Sequence, residues 1–251
     1  MKNLLRRLCA LVMTRALTRR SRPYGFPAGP ALVVAPHADD ETLGCAGLIA
    51  GKRQRGQAVH VVFITDSAGS HAGHPALTPA MLATLRRAEA LAALQVLGVA
   101  ASEVTFCGAP DGALNRLAPP EHEALVDRLS ELLRATQAVE IFAPCREDGS
   151  SEHAVAQQIA LAACRRYGHA ALMEYPVWAW WNPFRLRHRL GDSAHNFRVE
   201  LGSLGELKQR ALACHRTQLV PVPPWAEPTL PPILAQLCGG PAEFFFQHST
   251  T

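Results

Sequence analysis

The sequence predicts an α/β protein, a Rossmann-like three-layer α/β/α sandwich around a mostly parallel sheet. Three observations carry this. Short apolar runs of strand length alternate with longer helical segments from residue 31 to residue 175. Those runs are continuous, as expected of parallel strands covered on both faces. The chemistry-bearing residues gather immediately after them, where open α/β sheets bind their ligands. A chain of 251 residues has room for one well-buried core rather than two generous ones. We therefore expect a basic amphipathic segment, residues 1–24, followed by one domain, residues 25–251.

Within the first segment, Lys2, Arg6, Arg7, Arg15, Arg19, Arg20 and Arg22 all precede the first acidic residue, Asp39. The net charge of +4 is concentrated there, and the remainder of the chain is slightly acidic. Leu4, Leu5, Leu8, Leu11, Val12 and Met13 recur among these bases at helical spacing. The segment reads either as a helix lying on an anionic membrane through residues 1–22 or as a solvated basic helix with its apolar side on the domain. The apolar stretch is short and broken by Arg15, unlike a signal peptide, and no run approaches the roughly 20 residues of a membrane span.

Strands are predicted over residues 31–35, 58–64, 104–107, 139–143 and 170–175, with helices over 43–55, 79–97, 121–135 and 153–167. Right-handed crossovers would join them. A further strand at 196–201 and a helix at 204–215 follow. The proline-dense stretch 221–232 should run extended over the surface. Gly44 and Gly47 fall inside a helix instead of forming G-x-G-x-x-G after the first strand, which disfavours dinucleotide binding.

Seven cysteines are scattered singly with no C-x-x-C pair, which argues against a disulfide framework and a thiolate zinc site, and suggests a reducing, cytoplasmic setting. The basic residues are few, and no base-reading motif accompanies them, so nucleic acid is not an expected partner.

The most informative stretch is Pro36-His37-Ala38-Asp39-Asp40-Glu41, at the end of the first strand. A solvated acidic helix start needs one carboxylate. Three carboxylates and an imidazole crowded together are expensive to bury without a cation, so a divalent metal is the simpler explanation. A further ligand should come from another strand end, and His153, opening a helix behind the potential caps Ser150 and Ser151, is the best candidate. Two imidazoles and one carboxylate would leave a tetrahedral zinc ion one open position. Asp66 and Asp111 are either turn residues or part of this rim. Trp178, Trp180 and Trp181 either stack on a sugar ring or bury as an apolar patch, and Arg185, Arg187 and Arg189 beside them suit an anionic ligand portion or membrane contact. His71 and His74 read as solvated loop histidines outside the metal set, and Arg86 with Glu89 as a surface ion pair.

These residues resemble the Pro-His-x-Asp-Asp-Glu signature of the PIG-L (LmbE-like) zinc-dependent N-acetylglucosaminyl deacetylases. Arg86-Arg87-Ala88-Glu89, Pro110-Asp111-Gly112, Glu174-Tyr175-Pro176-Val177-Trp178, and Lys208, Ala211, His215 and Gln218 extend the resemblance over most of the chain. It implies a Zn2+ cofactor held by His37, Asp40 and His153, with Asp39 as general base. Arg86 and Asp111 match positions that contact the sugar in relatives, and Ser150, Trp178 and His215 complete the expected substrate contacts. Ser150 stands where many relatives carry a histidine. A serine donates one neutral hydrogen bond but no positive charge, so His215, His195 or Asp148 is expected to compensate, or the enzyme is slow or altered in substrate.

The implied reaction removes the N-acetyl group from an N-acetylglucosamine-type conjugate, a small molecule, giving acetate and an amine. The setting would be the cytoplasm or the inner membrane face, and a homo-oligomer is compatible with the sequence. Two other readings stay open: a catalytically weakened homologue that binds a glycan or partner, and a metal hydrolase of another amide or of a phosphoester.

Overall fold

The structure, a computed structural model, describes residues 2–248, so Met1 and residues 249–251 at the ends of the two expected regions lie outside it. Eight strands form one sheet in the order β1-β7-β8-β6-β5-β2-β3-β4. β2 (Ala31–Ala35), β3 (Val59–Thr65), β4 (Val104–Ala109), β5 (Glu140–Pro144) and β6 (Ala171–Tyr175) are mutually parallel. β8 (Ala242–Gln247) runs antiparallel to β6 and to β7 (Asn196–Glu200), and the two-residue β1 (Arg22–Pro23) pairs parallel with β7. The mostly parallel sheet agrees with the sequence reading, which did not assign β8. Phe244, Phe245 and Phe246 of β8 are all buried. Because consecutive strand residues point to opposite faces, β8 is covered on both sides.

Alternation along β2 and β3 sorts the core into two layers. Val33, Ala35, Val61 and Phe63 pack with α2 (Asp40–Gln54) and α3 (Pro79–Val96). Leu32, Val34, Val62 and Ile64 pack with α4 (Pro119–Thr136) and α5 (Ser151–Tyr167) on the other face. The helix ends follow from the sequence. Thr78 caps α3 through Oγ1, which accepts from Met81 N at 3.2 Å, and Pro79 follows at the first position, where its missing N–H costs nothing. α5 stops at Gly168, whose φ of 79° suits a residue without Cβ.

The remaining helices are α1 (Lys2–Arg19), α6 (Leu204–Leu212), α7 (Arg216–Leu219) and α8 (Pro232–Cys238). α1 packs on the domain through Ala10, Met13 and Leu17, and no helix among the described residues is long and apolar enough to cross a membrane. Two lysines are fully buried because each has a carboxylate partner: Lys52 Nζ lies 2.8 Å from Glu140, and Lys208 Nζ 2.8 Å from Glu243. From β2 the chain crosses to β3 on one side, whereas β5 pairs with β2 on the other. The carboxyl ends of β2 and β5 therefore flank the topological switch point of the sheet.

Candidate metal centre

His37, Asp39 and Asp40 follow β2, while Asp148, Glu152 and His153 follow β5, so the switch point gathers residues from opposite halves of the segment. Ligand atoms of His37, Asp40 and His153 lie within 4.8 Å of one another. Asp40 Oδ2 is 3.2 Å from His37 Nδ1 and 3.3 Å from His153 Nε2, and it accepts the His37 backbone N–H at 3.0 Å.

The other nitrogen of each imidazole is tied to a carboxylate. His153 Nδ1 donates to Asp148 Oδ2 at 2.7 Å, and His37 Nε2 donates to Glu152 Oε2 at 2.8 Å, with Asp111 Oδ1 at 3.3 Å. In the neutral imidazoles these partners assign the tautomers, which leaves His37 Nδ1 and His153 Nε2 bare toward Asp40. His153 is fully buried, and its Nε2 has no hydrogen-bond partner among the described residues. An orphaned buried nitrogen facing a carboxylate and a second imidazole fits a divalent metal of the zinc type. His37, Asp111 and Glu152 form a second potential ligand group, but it shares His37 with the first and holds only one imidazole.

The supporting carboxylates are themselves anchored. Asp148 Oδ1 accepts from Val177 N at 2.9 Å and Ala179 N at 2.8 Å. Glu152 Oε1 accepts from Gly112 N at 2.9 Å and Leu114 N at 3.2 Å, which ties the loop after β4 to α5. Asp111 Oδ2 accepts from Gly69 N at 2.7 Å. Residue 69 must be small for that approach, since a Cβ there would lie 3.0 Å from the Asp111 carboxyl carbon.

Charge follows this geometry. Burial works against protonating His37, but its hydrogen bonds to Asp111, Asp40 and Glu152 outweigh burial and hold its pKa well above the ordinary value. Burial likewise lowers that of His153, yet Asp40 and Asp148 raise it to about 9. For Asp40, burial is overcome by His153 and His37, and the carboxyl is held well below the usual range. A cation thus belongs beside Asp40, and in the metal-free chain protons take that part.

Asp39 is different. Its φ of 150° is strained for a residue other than glycine, and it sits as the N-cap of α2 without making a side-chain cap bond. Burial pushes its pKa up to about 6, although Arg86 Nη2 lies 3.2 Å away and pulls in the opposite direction. A buried carboxyl that titrates near neutrality is suited to exchanging protons. Arg86 is no surface ion-pair residue. It is 3% exposed, donates to Ala38 O at 2.6 Å and Ser67 O at 3.2 Å, and so braces the Asp39 loop. Glu89 instead accepts from Thr217 N at 2.8 Å and Thr217 Oγ1 at 2.7 Å.

A cavity of about 400 Å³ opens over these groups. His37, Asp39, Asp40, Arg86, Asp111, Ser150 and Trp178 line it, so seven sequence-selected residues meet in one space. Leu43 and Gly112 also line it, and Gly69, Ser70, Gln218, Thr229 and Leu230, which were not expected there, complete the wall. Ser150 also caps α5, with Oγ accepting from His153 N at 3.4 Å. Trp178 is half-buried at the junction with a smaller cavity of about 190 Å³ that Ser150 also lines and that reaches Trp181, Asn182 and Arg185.

Three further expectations are corrected. His215 does not line the cavity. It is buried behind α2, with Nε2 3.1 Å from Thr42 Oγ1 and 3.4 Å from Glu41 Oε1, and it supports the start of α2. Asp148, offered as a replacement for the missing histidine, is fully engaged in holding His153. His71 and His74 are buried, packed against Trp225, with the His71 and Trp225 rings stacked at 5.4 Å. The proline-dense stretch thereby turns over the site and delivers Thr229 and Leu230 to the wall.

Solved structures share this fold. The 4-carboxy-2-hydroxymuconate hydratase of Pseudomonas putida KT2440 is 18% identical, covering 89% of this chain and 97% of that one at a TM-score of 0.64. A triple mutant of a deacetylase of the teicoplanin biosynthetic pathway is 16% identical, covering 87% and 97% at 0.65. The N,N'-diacetylchitobiose deacetylase of Pyrococcus horikoshii is 22% identical, covering 74% and 69% at 0.58. No curated protein sequence matches. Residues 32–164 match the family model described as PIG-L, GlcNAc-PI de-N-acetylase. That stretch is more than half of the chain, and it runs from β2 nearly to the end of α5 with every residue of the His-Asp-His group inside it; the chain belongs to the PIG-L family.

Proposed function

We propose that this chain is a zinc-dependent hydrolase that removes the N-acetyl group from an N-acetylated amino sugar conjugate, giving acetate and a free amine. One observation carries the reading: two imidazoles fixed by Asp148 and Glu152 present bare nitrogens around Asp40, beside the strained, buried Asp39. Membership of the PIG-L family and the fold shared with two sugar-conjugate deacetylases support it.

A zinc ion held by His37, Asp40 and His153 would supply a Lewis acid that polarises the acetamide carbonyl and makes the attacking water acidic. Asp39 takes the proton from that water, and its pKa of about 6 in the metal-free chain lets the same carboxyl return a proton to the departing amine nitrogen. Arg86 keeps the Asp39 loop in place through the Ala38 and Ser67 carbonyls. Ser150 offers its hydroxyl hydrogen to the developing oxyanion. Trp178 supplies an apolar ring face to the sugar, and Asp111 accepts from its hydroxyls. Unpaired cysteines throughout support a reducing, cytoplasmic setting.

A two-metal phosphoesterase fits less well. Its spare carboxylates, Asp148 and Asp66, are committed to His153 and to the amides of Ala68 and Asp111. A catalytically weakened binding protein is favoured by Ser150 alone, whereas strain kept at Asp39 favours catalysis, since a binding module has no use for a poised base.

The test is acetate release from a panel of N-acetylglucosamine conjugates by zinc-loaded protein, with metal quantified in the same samples. Asp39→Ala should keep one zinc per chain and lose roughly 10²–10⁴ in rate. Turnover that survives this substitution would refute the role of Asp39, and one zinc per chain without turnover on any conjugate would favour the binding protein.

A further inference from the structure

The N-terminal helix carries two apolar faces, and the domain covers only one. At about 100° per residue, Ala10, Met13 and Leu17 fall on one side of α1 together with Arg6, and these are the residues in contact with the domain. Arg6 stacks 3.8 Å over the ring of Trp181, and Arg7 donates to Gln236 Oε1 at 2.5 Å, so the helix is held at its N-terminal end as well. The opposite side presents Leu4, Leu5, Leu8, Leu11 and Val12, which are 73%, 61%, 57%, 46% and 56% exposed. These five are half of the exposed large hydrophobic residues among the described residues, gathered on three turns of one helix.

The charge around this stripe selects its occupant. Arg15 and Arg19 project from the same side one and two turns further on, Lys2 and Arg7 flank it, and no acidic residue occurs before Asp39. A second copy of the helix would bring like charges together. A surface that is negative outside and apolar beneath matches both components. The smaller cavity beside the metal centre also leads from Ser150 and Trp178 to Trp181, the ring on which Arg6 rests.

We propose that α1 docks the protein on an anionic lipid bilayer, with Leu4, Leu5, Leu8, Leu11 and Val12 entering the acyl boundary and Arg15, Arg19 and Lys2 meeting the headgroups. The helix lies in the plane of the interface while its Ala10, Met13 and Leu17 side stays on the domain.

The test is sedimentation of the full chain with vesicles of phosphatidylcholine alone or mixed with phosphatidylglycerol. The protein should partition onto the phosphatidylglycerol vesicles and do so less at high salt. Leu4→Gln/Leu8→Gln/Leu11→Gln, all at exposed positions, should lower that partition by about tenfold or more. Arg15→Gln/Arg19→Gln should weaken binding only on the anionic vesicles. Light scattering and acetamide hydrolysis of a soluble conjugate by the same variants complete the set. Unchanged sedimentation of the triple variant, or no sedimentation of the wild type, would overturn the proposal. So would a dimer that the triple variant loses, which would identify a second copy as the occupant. Because the substituted side chains are exposed and line neither cavity, failure of the docking and failure of the deacetylase reading remain distinguishable.

Discussion

Asp148→Asn changes one atom of a fully buried side chain that holds His153, and it should weaken the protein's hold on its metal. In the wild type, Oδ1 accepts two backbone N–H groups, from Val177 and Ala179, while Oδ2 takes the proton of His153 Nδ1 at 2.7 Å. An asparagine that keeps its oxygen on the two amides turns an NH2 group toward His153. The imidazole then accepts at Nδ1 and carries its proton on Nε2, the nitrogen that faces Asp40 at 3.3 Å. Binding an ion requires moving that proton back, which opposes two buried donors at Nδ1. Flipping the amide instead orphans the Ala179 amide, because only Val177 N also reaches Oδ2, at 3.2 Å. Either way one buried hydrogen bond is lost, about 1–3 kcal/mol. The dissociation constant for zinc should rise roughly 5–150-fold, the range expected when the carboxylate behind a metal-bound histidine is removed. Competition between apoprotein and a chromophoric zinc chelator measures this, and nitrogen-detected NMR of His153 in the apoprotein reports the tautomer. Wild-type affinity together with a proton still on Nδ1 would refute the reasoning.

Two further outcomes follow from the same physics. Tyr24 is buried and donates to Glu140 at 2.7 and 2.6 Å, so its phenol pKa lies far above the ordinary 10.0. Its contribution to stability is full below about pH 10 and declines as pH rises past the unfolded-state value, because only the unfolded chain ionises there. Thermal melts of Tyr24→Phe and wild type should therefore converge from about pH 10 upward, and parallel curves would contradict the assignment. Ser150→His places a chargeable donor at the cavity wall and should raise kcat by about tenfold or more on an accepted substrate. An unchanged kcat with zinc still bound would mean that residue 150 does not face the oxyanion.

The parallel strands and the ligand loops were legible because each carries its own local signal, a continuous apolar run emptying into a polar loop. His37, Asp40 and His153 could be placed on one rim from strand order alone. β8 was not legible, since its three phenylalanines pair antiparallel with strands far from it in sequence. His215 was misplaced for a related reason. Sequence shows that it belongs near the site but not whether it turns toward the cavity or toward Glu41 and Thr42. The roles of Asp148 and Glu152 depend on which carboxylate the loop turns onto each imidazole, a matter of angle that spacing does not encode. The two sequence readings of α1, packed on the domain or apolar toward its surroundings, describe opposite sides of the same helix.

The wall of the cavity is drawn from two parts of the chain that do different work. Every group proposed to hold the ion or move a proton lies between β2 and the start of α5, within the stretch that matches the family. Gln218, Thr229 and Leu230 arrive later, on a turn fastened by the Leu230 N–H to Gln218 O bond and by Trp225 against His71 and His74. No carboxylate or imidazole around Asp40 depends on that turn for a hydrogen bond. Reaction and selectivity are therefore separable here: substitutions between residues 218 and 230 can reshape what fits over the centre while leaving the chemistry beneath it intact.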